Sequence, residues 1–373
     1  MISILNTPTH YFYKTSPDVE FGIGLHQEWE NDWYEYNQIN SVTIDKEKFL
    51  IPIRINFNTH HLLQGEKYFR LSEIHKNLLA NKQAIVLFDY SMENYLYPEA
   101  LQLIKNTIDK YNLHSRNSLF CSMYQQHLSD INTLELNYGM YLGRVLKEEQ
   151  LHILENNLTR DKKCLTFCRK FTDYNHRYDF GNFIFNNDYQ FDNIVTMPGV
   201  ENPLTEFDLS LPWYYDFEPD EEKLEANEKF VSYNDAYNKT YVSFILETYF
   251  DFETYQDFTD VSEKFSNAVR HLHPFIIHSR PGYLKYIKKL GYKTFDKWWD
   301  ESYDDIENTR LRKRMLYDLY KYINNKSLQE LEDMRKDMMP ILKHNCELYN
   351  HNKTNHKYFD QLFEKIRVCF STK

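Results

Sequence analysis

The chain is short of positive charge. It carries 44 Lys and Arg against 55 Asp and Glu in 373 residues, a net charge of −11. Non-specific binding of nucleic acid requires a clustered basic face that neutralises phosphates, so this balance disfavours it. The densest basic run, 310–314, is interleaved with Leu311 and Met315 and predicts the solvated face of a helix.

Cysteines are few and do not form a framework. Their odd number and irregular spacing favour reduced thiols over disulfides. They are Cys121, Cys164, Cys168, Cys346 and Cys369. Cys164 and Cys168 lie in a strand-like run, CLTFC, where a spacing of four puts both on one face. Because no second Cys/His pair has ligand spacing, buried thiols are predicted rather than a zinc site.

Long apolar runs are absent from the sequence. None approaches 18 residues, and the first residues lack the apolar segment of a secretory signal. We therefore expect a soluble, cytoplasmic protein without a membrane span.

The length and the order of apolar runs indicate an α/β protein of two domains. Ala84–Phe88 is typical of a strand buried in a parallel sheet, Pro98 begins a helical pattern, and Ser118–Met123 is the next strand. Cys164–Phe167 predicts a further strand, followed by a helix from His176. The predicted domains are 1–155 and 156–350, with a helical C-terminal tail at 351–373.

The clearest block follows residue 240. Tyr241–Leu246 predicts a strand, Thr259 or Asp260 an N-cap, and Pro274–Ile277 a second strand before a helix that Gly291 ends.

The helix start near Ser262 carries the chemistry of this block. Its free N–H groups and partial positive charge suit a diphosphate, and Lys264 adds a full charge. Glu263 is suited to accept hydrogen bonds from ribose hydroxyls. Alternatively, Glu263 only caps the helix and Lys264 is solvated.

The segment 241–349 resembles the C-terminal half of fucosyltransferase-like glycosyltransferases of GT-B fold, in a form found in bacteriophage and bacterial genomes. The matching residues are Glu247, Glu263-Lys264, His273-Pro274-Phe275-Ile276, Pro281-Gly282-Tyr283-Leu284, Leu290-Gly291-Tyr292, Thr294-Phe295 and Trp298 to Asp304. Upstream, Arg169 and His176-Arg177 resemble an Asn-Arg…His-Arg segment of the same proteins. The resemblance implies two Rossmann-like domains that face a cleft.

The resemblance also implies a nucleotide-sugar substrate and no separate cofactor. The donor-binding set that it implies is Arg169, Arg177, Glu247, Ser262, Glu263 and Lys264. Glu263 and Lys264 would contact the ribose and the diphosphate, and the two arginines would neutralise the departing diphosphate. Since cations of the protein do this work, we expect no metal.

An inverting transfer needs a general base on the acceptor side. Asp89 and Glu93, in the loop predicted after Ala84–Phe88, are the candidates. Asp89 is alternatively a turn or cap residue, and His60, His61 and His75 are weaker candidates.

The sequence thus predicts transfer of a hexosyl or deoxyhexosyl group to an acceptor hydroxyl of a glycan, a protein or a modified DNA base. The acidic net charge weighs mildly against DNA. The alternative is a catalytically inactive relative that acts as a binding or virion assembly protein. If the chain is phage-encoded, its location is the host cytoplasm.

Overall fold

The computed structural model describes residues 3–4, 49–54, 71, 73–90, 98–122, 131–135, 140, 145, 151–152, 154–155, 160–168, 175–196, 233–250 and 261–371. The chain divides into two compact units, Met1–Leu142 with His351–Lys373, and Gly143–Asn350. The division therefore falls at 142/143, against the predicted 155/156. Residues 351–373, predicted as a tail, belong to the first unit because their helix packs against its sheet.

The secondary structure alternates between strands and helices. The strands are β1 (Ser3–Ile4), β2 (Phe49–Arg54), β3 (Ala84–Tyr90), β4 (Ser118–Ser122), β5 (Asn132–Glu135), β6 (Lys162–Phe167), β7 (Ile194–Thr196), β8 (Thr240–Leu246) and β9 (Phe275–His278). The helices are α1 (Glu73–Ala80), α2 (Pro98–Tyr111), α3 (Asn175–Asn186), α4 (Tyr233–Lys239), α5 (Glu263–Arg270), α6 (Tyr283–Lys289), α7 (Thr309–Asn324), α8 (Leu328–Thr354) and α9 (Asp360–Ser371).

The first unit contains a parallel sheet in the order β1-β2-β3-β4-β5. Residues 84–88 of β3 are at most 1% exposed, as expected for an apolar strand covered on both faces. The Cys369 thiol of α9 lies 3.4 Å from the Ser115 carbonyl, and Asn132 of β5 approaches the same sulfur at 3.6 Å. These contacts hold the last helix to its sheet.

The second unit contains a parallel sheet in the order β7-β6-β8-β9. The chain passes from β6 to β7, then returns to place β8 on the other side of β6. The direction of winding therefore reverses between β6 and β8. In open parallel sheets, the strand ends at such a reversal form the usual ligand crevice.

Helices cover both faces of this second sheet. On one face, Phe180 of α3 stacks on Phe244 of β8 with ring centroids 4.8 Å apart, and Tyr320 of α7 meets the same ring edge-on at 5.1 Å. On the other face, Phe265 of α5 meets Phe275 of β9 at 5.1 Å. Side chains alternate along each strand, so one sheet supplies an apolar surface to both layers.

The predicted α/β class, with parallel sheets in two units and a helical C-terminal region, is confirmed. All five cysteines are buried free thiols, as predicted. Gly291 lies just beyond the end of α6 with φ +95°, which confirms its role as a helix stop.

Two local predictions are wrong. The N-cap of α5 is Ser262, which lies directly before the helix and whose hydroxyl accepts the Lys264 amide, rather than Thr259 or Asp260. The basic run 310–314 is not wholly solvated, because Arg312 is 2% exposed. Its guanidinium bonds four backbone carbonyls, those of Phe250, Ser279, Ile306 and Glu307, at 2.6–3.2 Å.

Among the described helices, none combines the length and apolar character that crossing a bilayer requires.

Candidate functional site

Glu247 organises the carboxyl end of β8. It directly follows the last strand residue and is 0% exposed. Its Oε1 accepts the Ser262 amide at 3.3 Å and the Tyr283 hydroxyl at 2.9 Å, while its Oε2 accepts the Ser262 hydroxyl at 2.8 Å. One buried carboxylate therefore joins the end of β8 to the starts of α5 and α6.

Ser262 is bonded on both sides. Its hydroxyl donates to Glu247 and accepts the Lys264 amide at 3.3 Å, so it satisfies one of the amides that a helix start leaves without an intrahelical partner. Its extended backbone, φ −96° and ψ 177°, is the usual geometry of an N-cap. The sequence signal for this cap was a hydroxyl directly before Glu263-Lys264.

The Lys264 ammonium lies between two carboxylates. Its Nζ is 3.9 Å from Glu247 Oε2 and 3.5 Å from Glu263 Oε1. Both distances exceed the ~2.7–2.9 Å of a charge-assisted hydrogen bond, so these are ion pairs of loose geometry. The Lys264 side chain is 14% exposed and that of Glu263 is 30% exposed, so both keep some access to solvent.

The charge of Glu247 is finely balanced. Burial raises the pKa of its carboxyl, since water no longer solvates the anion. The Lys264 charge and the hydrogen bonds from Ser262 and Tyr283 lower that pKa, while the Glu263 charge raises it. The ionised form of Glu247 therefore depends on keeping Lys264 close.

The start of α3 meets the same strand end. Arg177, 3% exposed, donates to the Leu246 carbonyl at 3.4 Å and to the Thr248 hydroxyl at 3.5 Å. The His176 Nε2 lies 3.0 Å from the Glu247 carbonyl. Burial, and then the charge of Arg177, lowers the pKa of His176 to about 3. His176 is accordingly a neutral hydrogen-bonding group at neutral pH, and Arg177 is the cation of this end of the sheet.

A second neutral imidazole ends β9. His278 is 0% exposed and stacks on Phe250 at 4.0 Å and on His176 at 5.4 Å. Within the described part of the chain, neither ring nitrogen has a hydrogen-bond partner beyond its own backbone. Burial lowers its pKa well below the ordinary 6.5, and His176 and Arg312 lower it further. The sequence did not single out His278, because an isolated histidine at a strand end carries no pattern.

The aromatic and acidic run 294–305, part of the family resemblance, is a structural clasp. Asp304 accepts the amides of Leu284 and Lys285 at 3.0 and 3.1 Å and so caps α6. Glu301 accepts the Thr294 hydroxyl at 2.6 Å and the Phe295 amide at 2.7 Å. These carboxylates are occupied in holding the turn after α6.

The structure brings together five of the predicted donor-binding residues at the starts of α3 and α5 and the end of β8. They are Arg177, Glu247, Ser262, Glu263 and Lys264. Arg169, the sixth, lies outside the described residues. Tyr283 was quoted only as part of a motif, and its hydroxyl bond to Glu247 was not foreseen; its position directly after Pro281-Gly282 was the signal.

The proposed base Asp89 lies in a strand, not in a loop. The ladder continues through the pairing of Asp89 with Cys121, so β3 runs on to Tyr90 and Asp89 is 2% exposed. Its charge, after burial, raises the pKa of the Cys121 thiol. Glu93, His60 and His61 lie outside the described residues. His75 is buried in α1, and burial lowers its pKa.

Within the described ranges, no group of three or more His, Cys, Asp or Glu side chains has the geometry of a metal site. The chemistry that the second unit offers is therefore that of a buried carboxylate, two cations and a capped helix start. These features define a doubly wound α/β unit with charged groups at the strand ends beside its reversal.

Comparison with known proteins adds little to this assignment. No family model and no curated protein matches the chain. Among solved structures, the chain is similar to one described as the crystal structure of WaaG, a glycosyltransferase involved in lipopolysaccharide biosynthesis. The similarity covers 95% of this chain and 86% of that chain at 9% identity, with a TM-score of 0.30. A similarity of that size carries no argument, so the function is inferred from the site.

Proposed function

We propose that the chain is a glycosyltransferase of GT-B type that binds a nucleotide sugar at the start of α5 and transfers the sugar to an acceptor hydroxyl. The observation that carries this proposal is the group Glu263 and Lys264 in the first turn of α5. That turn follows the strand end where the sheet winding reverses.

The charges of the site suit a nucleoside diphosphate. Lys264 is suited to the diphosphate, together with the amides of the first helical turn. Glu263, the more exposed of the two carboxylates, is suited to accept the ribose hydroxyls. Arg177 supplies a second cation at the neighbouring helix start, and Arg169 is proposed beside it. In the transfer, the bond from the sugar C1 to the phosphate oxygen breaks and the acceptor oxygen bonds to C1. The negative charge that leaves with the diphosphate is what these cations stabilise.

The acceptor side is proposed on weaker grounds. An inverting transfer requires a base that takes the acceptor proton, and Asp89 or Glu93 is proposed for that role. The nearly complete burial of Asp89 favours a second candidate function, a relative that binds nucleotides without transferring sugar.

Thermal unfolding with and without UDP, GDP, ADP and CDP tests the donor site. We expect one of these nucleotides to raise the melting temperature of the wild-type protein. Lys264→Ala should abolish the rise, because it removes the charge that faces the diphosphate. Lys289→Ala is the matched control, since Lys289 is an exposed lysine at the far end of α6.

The outcomes separate the two candidates. A shift that Lys264→Ala removes, with turnover of a nucleotide sugar, supports the transferase. A shift without turnover of any donor supports the binding protein. No shift with any of the four nucleotides contradicts both.

A further inference from the structure

The carboxylate of Glu247 is directed entirely into the protein. It has no exposed surface, and its two oxygens together accept three hydrogen bonds from Ser262 and Tyr283. A group in this position cannot contact a ligand that arrives from solvent without breaking those bonds. Any role of Glu247 in donor binding must therefore act through its neighbours.

The neighbour with freedom to move is Lys264. Its ammonium is held by two loose ion pairs, at 3.9 Å to Glu247 and at 3.5 Å to Glu263, and its side chain keeps 14% exposure. A lysine stem has four flexible carbons, so its charge can be redirected at small cost. A diphosphate at the start of α5 offers that ammonium a more strongly charged partner with direct hydrogen-bond geometry.

We propose that Glu247 is a positioning residue that holds the start of α5 through Ser262 and keeps the Lys264 ammonium in place until a nucleoside diphosphate takes it over. This inference rests on the proposed function. It assigns to Glu247 a competing role rather than a contact with the donor, which differs from simple membership of the donor-binding set.

The exchange has a consequence for protons. Lys264 and Glu263 of α5, and the Tyr283 hydroxyl of α6, are the groups that face the Glu247 carboxylate. From α3, His176 and Arg177 contact only the main chain and Thr248 at this point. When Lys264 turns to the phosphate, Glu247 stays buried and loses its nearest cation. Its pKa then rises further, so nucleotide binding draws a proton from the buffer.

Glu247→Gln distinguishes this role from direct contact. The amide keeps the size and the hydrogen-bonding capacity of the side chain but removes the charge that competes for Lys264. We expect the variant to bind the nucleotide roughly two- to fivefold more tightly, the factor that a loose ion pair represents. Glu307→Gln, an exposed glutamate of the same unit, is the matched control and should bind as the wild type does.

Titration calorimetry with UDP, GDP and ADP, in HEPES and in Tris, measures affinity and proton uptake together. Wild type should take up more protons per nucleotide than Glu247→Gln. Weaker binding by a folded Glu247→Gln, or equal proton uptake by both proteins, would overturn the inference. Wild type that binds none of the three nucleotides would overturn the proposed function as well.

A second measurement needs only the wild-type protein, in case Glu247→Gln does not fold. An infrared difference spectrum taken on nucleotide binding should gain a band from a protonated carboxyl group. A spectrum with binding but without that band would overturn the inference and leave the proposed function intact.

Discussion

The buried His278 makes the second unit sensitive to mild acid. Burial holds its pKa well below 6.5 in the folded protein, whereas the unfolded chain binds a proton near pH 6.5. Because the folded-state pKa is the lower one, the stabilisation is present above pH ~6.5 and is lost as the pH falls below it. Between pH ~7.5 and ~5.5 this single group lowers the free energy of unfolding by about 1.4 kcal/mol.

His278→Phe isolates the effect of this one group. Phenylalanine keeps an aromatic ring against Phe250 and His176 but does not titrate. The variant should lose about 1.4 kcal/mol less than wild type between the two pH values. Other titrating groups, including Glu247, whose raised pKa acts in the opposite direction, are common to both proteins and cancel in the comparison.

Urea unfolding at three pH values in this window measures the difference. His351→Phe is the control, since His351 is exposed in the folded protein and should keep the wild-type pH dependence. Parallel losses of stability in wild type and His278→Phe would refute the reasoning, because they would mean that His278 binds its proton equally well in both states.

Three further predictions concern how the strand ends are held. Arg312→Met should lower the free energy of unfolding by about 3 kcal/mol or more, because four buried carbonyls lose their donor, while the exposed Arg310→Met should change it by less than about 0.5 kcal/mol; urea unfolding measures both. Asp304→Ala should cost about 1–2 kcal/mol by uncapping α6, and equal losses in the exposed Asp305→Ala would contradict that cause. Gly291→Ala should lower the melting temperature, since φ +95° strains any residue with a Cβ by about 1–2 kcal/mol; an unchanged melting temperature would contradict this.

Strands and helix ends that carry a strong local pattern could be predicted from the sequence. Unbroken apolar runs predicted β3 and β8, and Ser327 with Glu330 predicted the capping box that the structure contains at 2.8 and 3.2 Å. These elements depend on neighbours within a few residues, which is the range over which a pattern is visible.

The site was predictable only in part, because its contacts cross the sheet. Glu263 and Lys264 were found from the helix start that they occupy. The bond from Tyr283 to Glu247 joins residues 36 positions apart, and Arg312 reaches a carbonyl 62 positions away. Nothing local marks such a partner, so Arg312 was assigned to a solvated face. The pKa of a buried group such as His278 likewise depends on packing that the sequence does not display.

The central claim is that the start of α5 binds a nucleotide sugar for transfer. Its most direct test is the release of nucleoside diphosphate from a panel of UDP-, GDP-, ADP- and CMP-linked sugars (release of CMP in the last case), compared between wild type, Lys264→Ala and Lys289→Ala. We predict that wild type and Lys289→Ala cleave one donor and that Lys264→Ala loses that activity. Equal release by all three proteins, or no release from any donor, would contradict the account.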